Sequence, residues 1–399
     1  MLTEPQRIPM LQSTHNLLQG RVMIEQKIFL QSPIILFLLL SAIGYVSPTM
    51  ASKRVIATIP VGDSPAGIAI TPDNRFAYVA NNNNDDLPNG DTVSVVYLAS
   101  NTVVATISDA SFNQPYTVTI NKMGTIAYVT NSNSTTISLI NIATNQVMGT
   151  IGGFDGPSGM VITPQGDRAY VNNYGGPEGV GSGNGTTVRV VDLTTNMIIG
   201  APITVGLAPA ALAITPDGAF IYVINYVDGN PGTGTVSVIR TSDNTLIAII
   251  PGFSGPFGIA ITPNGKYAYI TNFGSNNFSP VGTTVSVIDL SGNMIIATIA
   301  LGTQPSGVAI TPDGRFVYVS NYNTLYLGPN FTNLTAGQGI INIIDVASNS
   351  VLCPAIVVGS SPANIAISSD GKRVYVTNYT SDNVSVINSV DRMWLDVCH

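Results

Sequence analysis

Histidine is almost missing from this chain. Its 399 residues contain two, His15 near the start and His399 at the end. Ser-His-Asp and Cys-His nucleophilic schemes are therefore excluded from everything between them, as are histidine-ligated zinc and haem. Glutamate is nearly as scarce, since Glu178 is the one that follows the N-terminal region. Charged residues make up 9% of the chain, against about a quarter in ordinary soluble domains, and Thr, Asn, Ser and Gly take their place. The two cysteines, Cys353 and Cys398, are too few for a disulfide framework. In an oxidising compartment they could pair and pin the C-terminal tail; small buried thiols are the alternative reading. Hydrophobic residues are 45% of the total, enough for a large core, which excludes disorder.

The N-terminal region is a separate object. Residues 34–46 read Ile-Ile-Leu-Phe-Leu-Leu-Leu-Ser-Ala-Ile-Gly-Tyr-Val, too short a run for a comfortable membrane span. Lys27 lies upstream, and Pro48-Thr49-Met50-Ala51 supplies small residues for cleavage. This is the pattern of a secretory signal, with Met23 an alternative start. The expected division is a leader over 1–51 and one folded body over 52–399. After cleavage no integral membrane segment is left; an uncleaved anchor is the alternative.

The body is repetitive. Tyr128-Val-Thr-Asn131 returns seven times in close variants, the copies ending at Asn81, Asn131, Asn172, Asn225, Asn272, Asn321 and Asn378. Self-similarity at this spacing denotes a repeat architecture. Each unit reads as four short strands. Gly307–Ile310 shows the first, and a Thr311-Pro-Asp-Gly314 turn follows, with Pro at the position of fixed φ and Gly at that of positive φ. The Tyr-Val-x-Asn segment is the second strand, Thr284–Asp289 typifies the third and Met294–Ile299 the fourth. First and fourth strands are apolar throughout, which predicts cover on both faces. Arg54–Ile59 has the pattern of a fourth strand but precedes the first unit. It can therefore complete the last unit and close a ring without exposed ends. Met393–Val397 competes for that slot or adds an outer strand.

With the repeat in view, the chain resembles the YVTN β-propeller family, through Tyr128–Asn131, Tyr375–Asn378 and near copies such as Tyr269-Ile-Thr-Asn272 and Tyr170-Val-Asn-Asn173. The likeness covers about residues 53–390. It departs most in the second unit, where Ile120-Asn-Lys-Met-Gly124 replaces the usual turn. The resemblance implies an all-β fold, a seven-bladed β-propeller of four-stranded antiparallel blades closed by an N-terminal strand in the last blade. It also implies export to a secreted, periplasmic or cell-surface location. Propellers host many activities, so no function follows from the fold.

Antiparallel alternation sorts the loops onto two ends of the ring. First-to-second and third-to-fourth turns share one end, called the turn face below. Second-to-third loops and blade-to-blade connections share the other, the loop face, where the long variable segments lie. The loop face carries Asp63, Asp85, Asp86, Asp91, Asp109, Asp155, Glu178, Asp228 and Asp382 and no Lys or Arg; the basic residues, Arg75 and Arg315 among them, fall at the turns. Such a face repels nucleic acid, whose phosphates need cations. It suits cations, cationic peptides or neutral polar ligands. Asp63, Asp109 and Asp155 occupy equivalent connections in successive blades and form a candidate calcium site, with the Asn81–Asp91 loop, bearing Asp85, Asp86 and Asp91, a second; otherwise no cofactor is expected. Tyr174, Tyr226, Phe273, Tyr322 and Tyr379 follow the second strand in blades three to seven. They are either a platform for carbohydrate or peptide, or core that closes the blade ends. The repeated Asn is expected to bond the loop backbone.

The functional expectation is an exported, non-catalytic scaffold that binds a protein or envelope component through its acidic loop face. The alternatives are a lectin-like propeller using the aromatics, and a hydrolase or lyase using channel-mouth carboxylates, with or without calcium. Propeller lactonases and lyases work with histidine, glutamate or metal, and the scarcity of these residues sets the expectation of no enzyme.

Overall fold

The structure is a computed structural model that describes residues 54–83, 91–176, 184–226, 232–274, 281–322 and 337–389. These residues form seven four-stranded antiparallel sheets. Six of the sheets take four strands consecutive in sequence; the seventh has the order Val55–Pro60, Asn383–Asn388, Arg373–Asn378, Pro362–Ile367. The N-terminal strand therefore lies outermost in the last blade. It pairs Ile59 with Val384 and Thr58 with Ser385. Its slot is filled, and Met393–Val397 lies outside the described residues. No helix among the described residues is long and apolar enough to cross a membrane.

The first strands form the inner ring, each contacting the first strand of the next blade, and Pro362–Ile367 returns to Pro65–Ile70. Glycine is needed where these strands meet most closely. A Cβ on Gly258 would lie 2.3 Å from the Ser306 carbonyl oxygen, and one on Gly67 2.3 Å from that of Tyr116. The core lies between blades. One buried cluster joins Tyr78, Val93 and Val95 of blade one to Ala127, Val129 and Ile140 of blade two, and the closing cluster joins Ile59, Tyr375, Val384 and Val386 to Ile68 and Val79.

Each position of the Tyr-Val-x-Asn motif has its own task. The Tyr hydroxyl reaches the next blade, where in four blades it donates to an Asn of the third-to-fourth turn and in blade six it meets Ser389 Oγ at 3.1 Å. Tyr170 donates to Asn244 Oδ1 at 2.6 Å, Tyr222 to Asn293 Oδ1 at 2.6 Å and Tyr269 to Asn349 Oδ1 at 2.7 Å. Val is fully buried, as at Val79, Val129 and Val319. The variable position latches onto the next blade's first strand: Thr130 Oγ1 donates to Ser158 O at 3.1 Å and Thr377 Oγ1 to Ala66 O at 2.9 Å. The Asn donates within its own blade. Asn81 Nδ2 donates to Thr92 Oγ1 at 2.9 Å and Ser94 Oγ at 3.0 Å, and Asn225 makes the same pair with Thr235 and Ser237. Third-strand hydroxyls take its amide N–H groups, and the expected loop-backbone bonds form on its oxygen in two blades, where Asn131 Oδ1 accepts from the Asn113 N–H at 3.4 Å and Asn173 Oδ1 from the Asp155 N–H at 3.1 Å.

Two further expectations change. In blade three the register pairs Pro157 with Asn173, as Pro65 pairs with Asn81. Asn173, not Asn172, is therefore the repeat asparagine, and Asn172 takes the latching position, donating to Pro209 O. Fourth strands are not covered on both faces. They are the outermost strands, and Val104, Ile249 and Ile296 on them are exposed; no element packs outside them among the described residues.

Candidate functional site

The loop-face end of the inner ring is built from one local device used seven times. The residue before each first-strand proline adopts left-handed backbone: Ser64, Gln114, Gly156, Ala208, Gly255, Gln304 and Ser361 all have φ between 50° and 55°. This conformation is unfavourable ahead of proline. It turns the carbonyl of that residue toward the second strand, where the residue following the repeat Asn donates its N–H. The seven bonds run from Asn82 to Ser64, Ser132 to Gln114, Tyr174 to Gly156, Tyr226 to Ala208, Phe273 to Gly255, Tyr322 to Gln304 and Tyr379 to Ser361, at 2.8–3.0 Å. Five of the seven donors are aromatic, so the scaffold fixes their backbones at equivalent places around the ring.

The side chains then meet. Tyr226 packs edge-on against Phe257 with ring centroids 6.2 Å apart, Phe257 lies 5.2 Å from Phe273, Phe273 5.9 Å from Tyr322, and Tyr322 6.3 Å from Tyr379. Tyr379 donates its hydroxyl to Asn82 Oδ1 at 3.2 Å, crossing from blade seven to blade one, and Asn82 Nδ2 donates to Pro115 O of blade two. Tyr116 follows that proline. Burial pushes its phenol up, and the phenols of Tyr174, Tyr379 and Tyr322 add to the shift. The Tyr322 phenol is also raised by burial, with Ser361 opposing. These hydroxyls therefore remain protonated donors at physiological pH. Tyr226 and Phe273 are buried, and Tyr226 donates to Gly274 O at 3.0 Å. Tyr116, Tyr174, Phe257, Tyr322 and Tyr379 are half-buried. The aromatics both close the ring and present a partly open surface.

Sequence reasoning found five members of this belt and missed Tyr116 and Phe257. The signal was an aromatic directly after the first-strand proline, at Pro115-Tyr116 and Pro256-Phe257, where the other blades carry Ala or Ser.

The carboxylates do not gather in the same way. Among the described residues no three His, Cys, Asp or Glu side chains are grouped to hold a metal. Asp63, Asp109 and Asp155 each serve their surroundings. Asp63 accepts from Ser64 Oγ at 3.0 Å, Asp109 from the Ser111 N–H at 2.9 Å and Asp155 from the Gly176 N–H at 2.8 Å. Asp91 accepts from the Gln114 N–H at 3.1 Å, and Asp382 from the Ser64 N–H at 2.9 Å across the closing seam. Asp85, Asp86, Glu178 and Asp228 lie outside the described residues, as does Cys398, and the Cys353 side chain is likewise not described. At the opposite end of the ring, two inter-blade grooves open on the turn face. One, of about 800 Å³, lies between blades one and two beside Phe76, Met123 and Met148; the other, of about 580 Å³, lies between blades four and five beside Phe220 and Tyr267.

Comparison with known proteins adds to this geometry. A family model described as "Lactonase, 7-bladed beta-propeller" matches residues 247–392. A 153-residue segment is 32% identical to the Seven-bladed beta-propeller protein Rv1057 of Mycobacterium tuberculosis (strain ATCC 25618 / H37Rv), covering 37% of this chain and 35% of that protein. A 59-residue segment is 49% identical to the PE-PGRS family protein PE_PGRS18 of the same organism, covering 15% of this chain and 13% of that one. The chain thus spans about a third or less of the length of these relatives. Among solved structures, Kuenenia stuttgartiensis Hydrazine Synthase superposes with a TM-score of 0.68 at 22% identity, over 82% of this chain and 96% of that one. That likeness is one of fold.

The lactonase match corrects the expectation that the propeller is not an enzyme. The scarcity of histidine excludes mechanisms built on imidazole. Carboxylates and protonated phenols remain available for proton transfer and hydrogen-bond donation.

Proposed function

We propose that the loop-face end of the ring is a recognition site for a neutral, ring-bearing polar ligand, with a carbohydrate unit the class that fits best, on an exported propeller of the YVTN type. The observation that carries this reading is the aromatic belt from Tyr226 through Phe257, Phe273 and Tyr322 to Tyr379. An apolar ring face stacks on such side chains, while convergent polar groups fix orientation. The polar groups at hand are the Tyr116, Tyr322 and Tyr379 phenols, Asn82, and the carboxylates of Asp63 and Asp382. None of them is cationic, which favours a neutral ligand over an anionic one and disfavours nucleic acid. A protein or envelope component bearing such groups is the partner this reading admits. The test is a glycan array probed with the wild type and with Tyr322→Ala. Binding that the variant loses supports the reading, and no binding across the array sinks it. Cell fractionation tests export, and recovery in the cytosol refutes it.

A second reading is hydrolysis of a cyclic ester at the same place. It is favoured by the lactonase match, which spans Phe257, Phe273, Tyr322 and Tyr379. A protonated phenol would donate to the ester carbonyl. A loop carboxylate would take a proton from water as the water oxygen bonds the carbonyl carbon, then hand that proton to the departing alkoxide as the ring C–O bond breaks, leaving a hydroxy acid. Turnover of a lactone panel that falls with Tyr379→Phe supports this chemistry, and no turnover on any member of the panel refutes it.

A further inference from the structure

Among the described residues, the bond that latches one blade to the next is missing from two of the seven junctions. Its usual target is the carbonyl of the residue after the first-strand proline. Ala66 O accepts from Thr377 Oγ1, Ser158 O from Thr130 Oγ1, Ser306 O from Thr271 Oγ1 and Ala363 O from Ser320 Oγ, at 2.7–3.2 Å. For Ala210 O of blade four the donor is Ser158 Oγ, at 3.1 Å. The two remaining targets are the carbonyls of Tyr116 and Phe257. At the latching position of the blades before them stand Ala80 and Ile224, which carry no donor and are fully buried. The turn-face grooves of about 800 and 580 Å³ open at these same junctions, between blades one and two and between blades four and five.

The two untied residues are also the two large ones. The other five positions after the proline hold Ala or Ser. Tyr116 leans over the channel mouth, since the phenols of Tyr174, Tyr322 and Tyr379, on blades three, six and seven, act on its hydroxyl from blade two. Phe257 stands three blades round the ring, against Tyr226 and Phe273. We propose that Tyr116 and Phe257 are the specificity-determining pair of the loop-face site, two aromatic jaws whose unlatched strands let them part around the ring of a neutral sugar. This inference rests on the carbohydrate reading above. A small side chain has no ligand face to adjust, and its strand is latched. A large one re-packs on the ligand only if the backbone beneath it yields, and the stacking contact then offsets the ordering it requires.

Hydrogen exchange on the ligand-free full chain reads the latch. First-strand amides of blades two and five are expected to exchange at least roughly fivefold faster than those of the other five blades. Ala80→Ser and Ile224→Thr supply the missing donor, and are expected to slow blades two and five respectively, each without changing the other. Either variant serves if its counterpart fails to fold. Equal exchange across all seven wild-type blades overturns the proposal, as does a folded latch variant that leaves exchange unchanged. A glycan array reads the pair itself. Tyr116→Ala and Phe257→Ala are expected to lose roughly tenfold in affinity for the glycans that the wild type binds, and to alter their ranking. Tyr116→Phe keeps the ring and is expected to preserve the ranking. Binding that falls with Tyr322→Ala but keeps its strength and ranking in Tyr116→Ala and Phe257→Ala overturns this inference alone. A silent array sinks the carbohydrate reading and this one with it.

Discussion

The motif tyrosine links chemistry to assembly one residue at a time. Its ring is buried between blades, and its hydroxyl ends on an asparagine held in left-handed backbone, such as Asn244 or Asn293 with φ of 57° and 53°. Burial raises the phenols of Tyr78, Tyr222 and Tyr269 to about 12. For an acid, a folded value above the unfolded one near 10 means that the native state holds its proton more tightly. The resulting stability is fully present below about pH 10 and is lost as pH rises toward about 12. Urea midpoints should therefore be flat through neutral pH and fall between about pH 10 and 12. Tyrosinate absorbance should show a class of phenols ionising about two pH units late. A midpoint independent of pH across that window would contradict the burial described.

At the scale of the element, the inner strand explains why glycine recurs after its proline. Gly258 has no room for a Cβ, because the Ser306 carbonyl of the next blade is in the way. Gly258→Ala should cost about 1–3 kcal/mol, through displacement of backbone that cannot yield locally. Gly152, on an outer strand with nothing within 4 Å of its built Cβ, makes the contrast: Gly152→Ala should stay within about 0.5 kcal/mol. Equal effects in urea unfolding would refute the close-approach argument. The four-strand order was legible in the Thr-Pro-Asp-Gly turns and in the alternation of residues such as Thr284–Asp289. The exposure of the fourth strand was not. An apolar strand reads the same whether a neighbouring blade covers it or it forms the rim, and only the sheet order separates the two.

For the whole molecule the decisive contact is the closure. Val55–Pro60 completes the last blade, and Ile59, 1% exposed, packs among Tyr375, Val384 and Ile68 from both sides of the seam. Asp382 and Thr377 of blade seven add bonds to the Ser64 N–H and the Ala66 carbonyl of blade one. Ile59→Ala should cost about 2–5 kcal/mol. The loss should appear as a lower urea midpoint for the entire ring, because the other blades rest on an intact circle. A change below about 1 kcal/mol would mean that the strand is not part of the core.

The sequence by itself determined the blade count, the strand order and the closing strand. These rest on short-range patterns repeated seven times, such as Tyr128–Asn131 and Thr311–Gly314, and repetition averages out local ambiguity. It also placed Tyr174, Tyr226, Phe273, Tyr322 and Tyr379 at one end of the ring. Tertiary structure decided which side chains meet. Tyr116 and Phe257 join the belt because their prolines bring the first strands to the same end; the Pro-aromatic pair marks them in the sequence, but the contact between blades is not recorded there. Asp63, Asp109 and Asp155 share a sequence position, yet each bonds a donor close to it, the Ser64 hydroxyl, the Ser111 N–H and the Gly176 N–H respectively, because a hydrogen-bond donor within reach attracts a carboxylate whereas another carboxylate a blade away repels it.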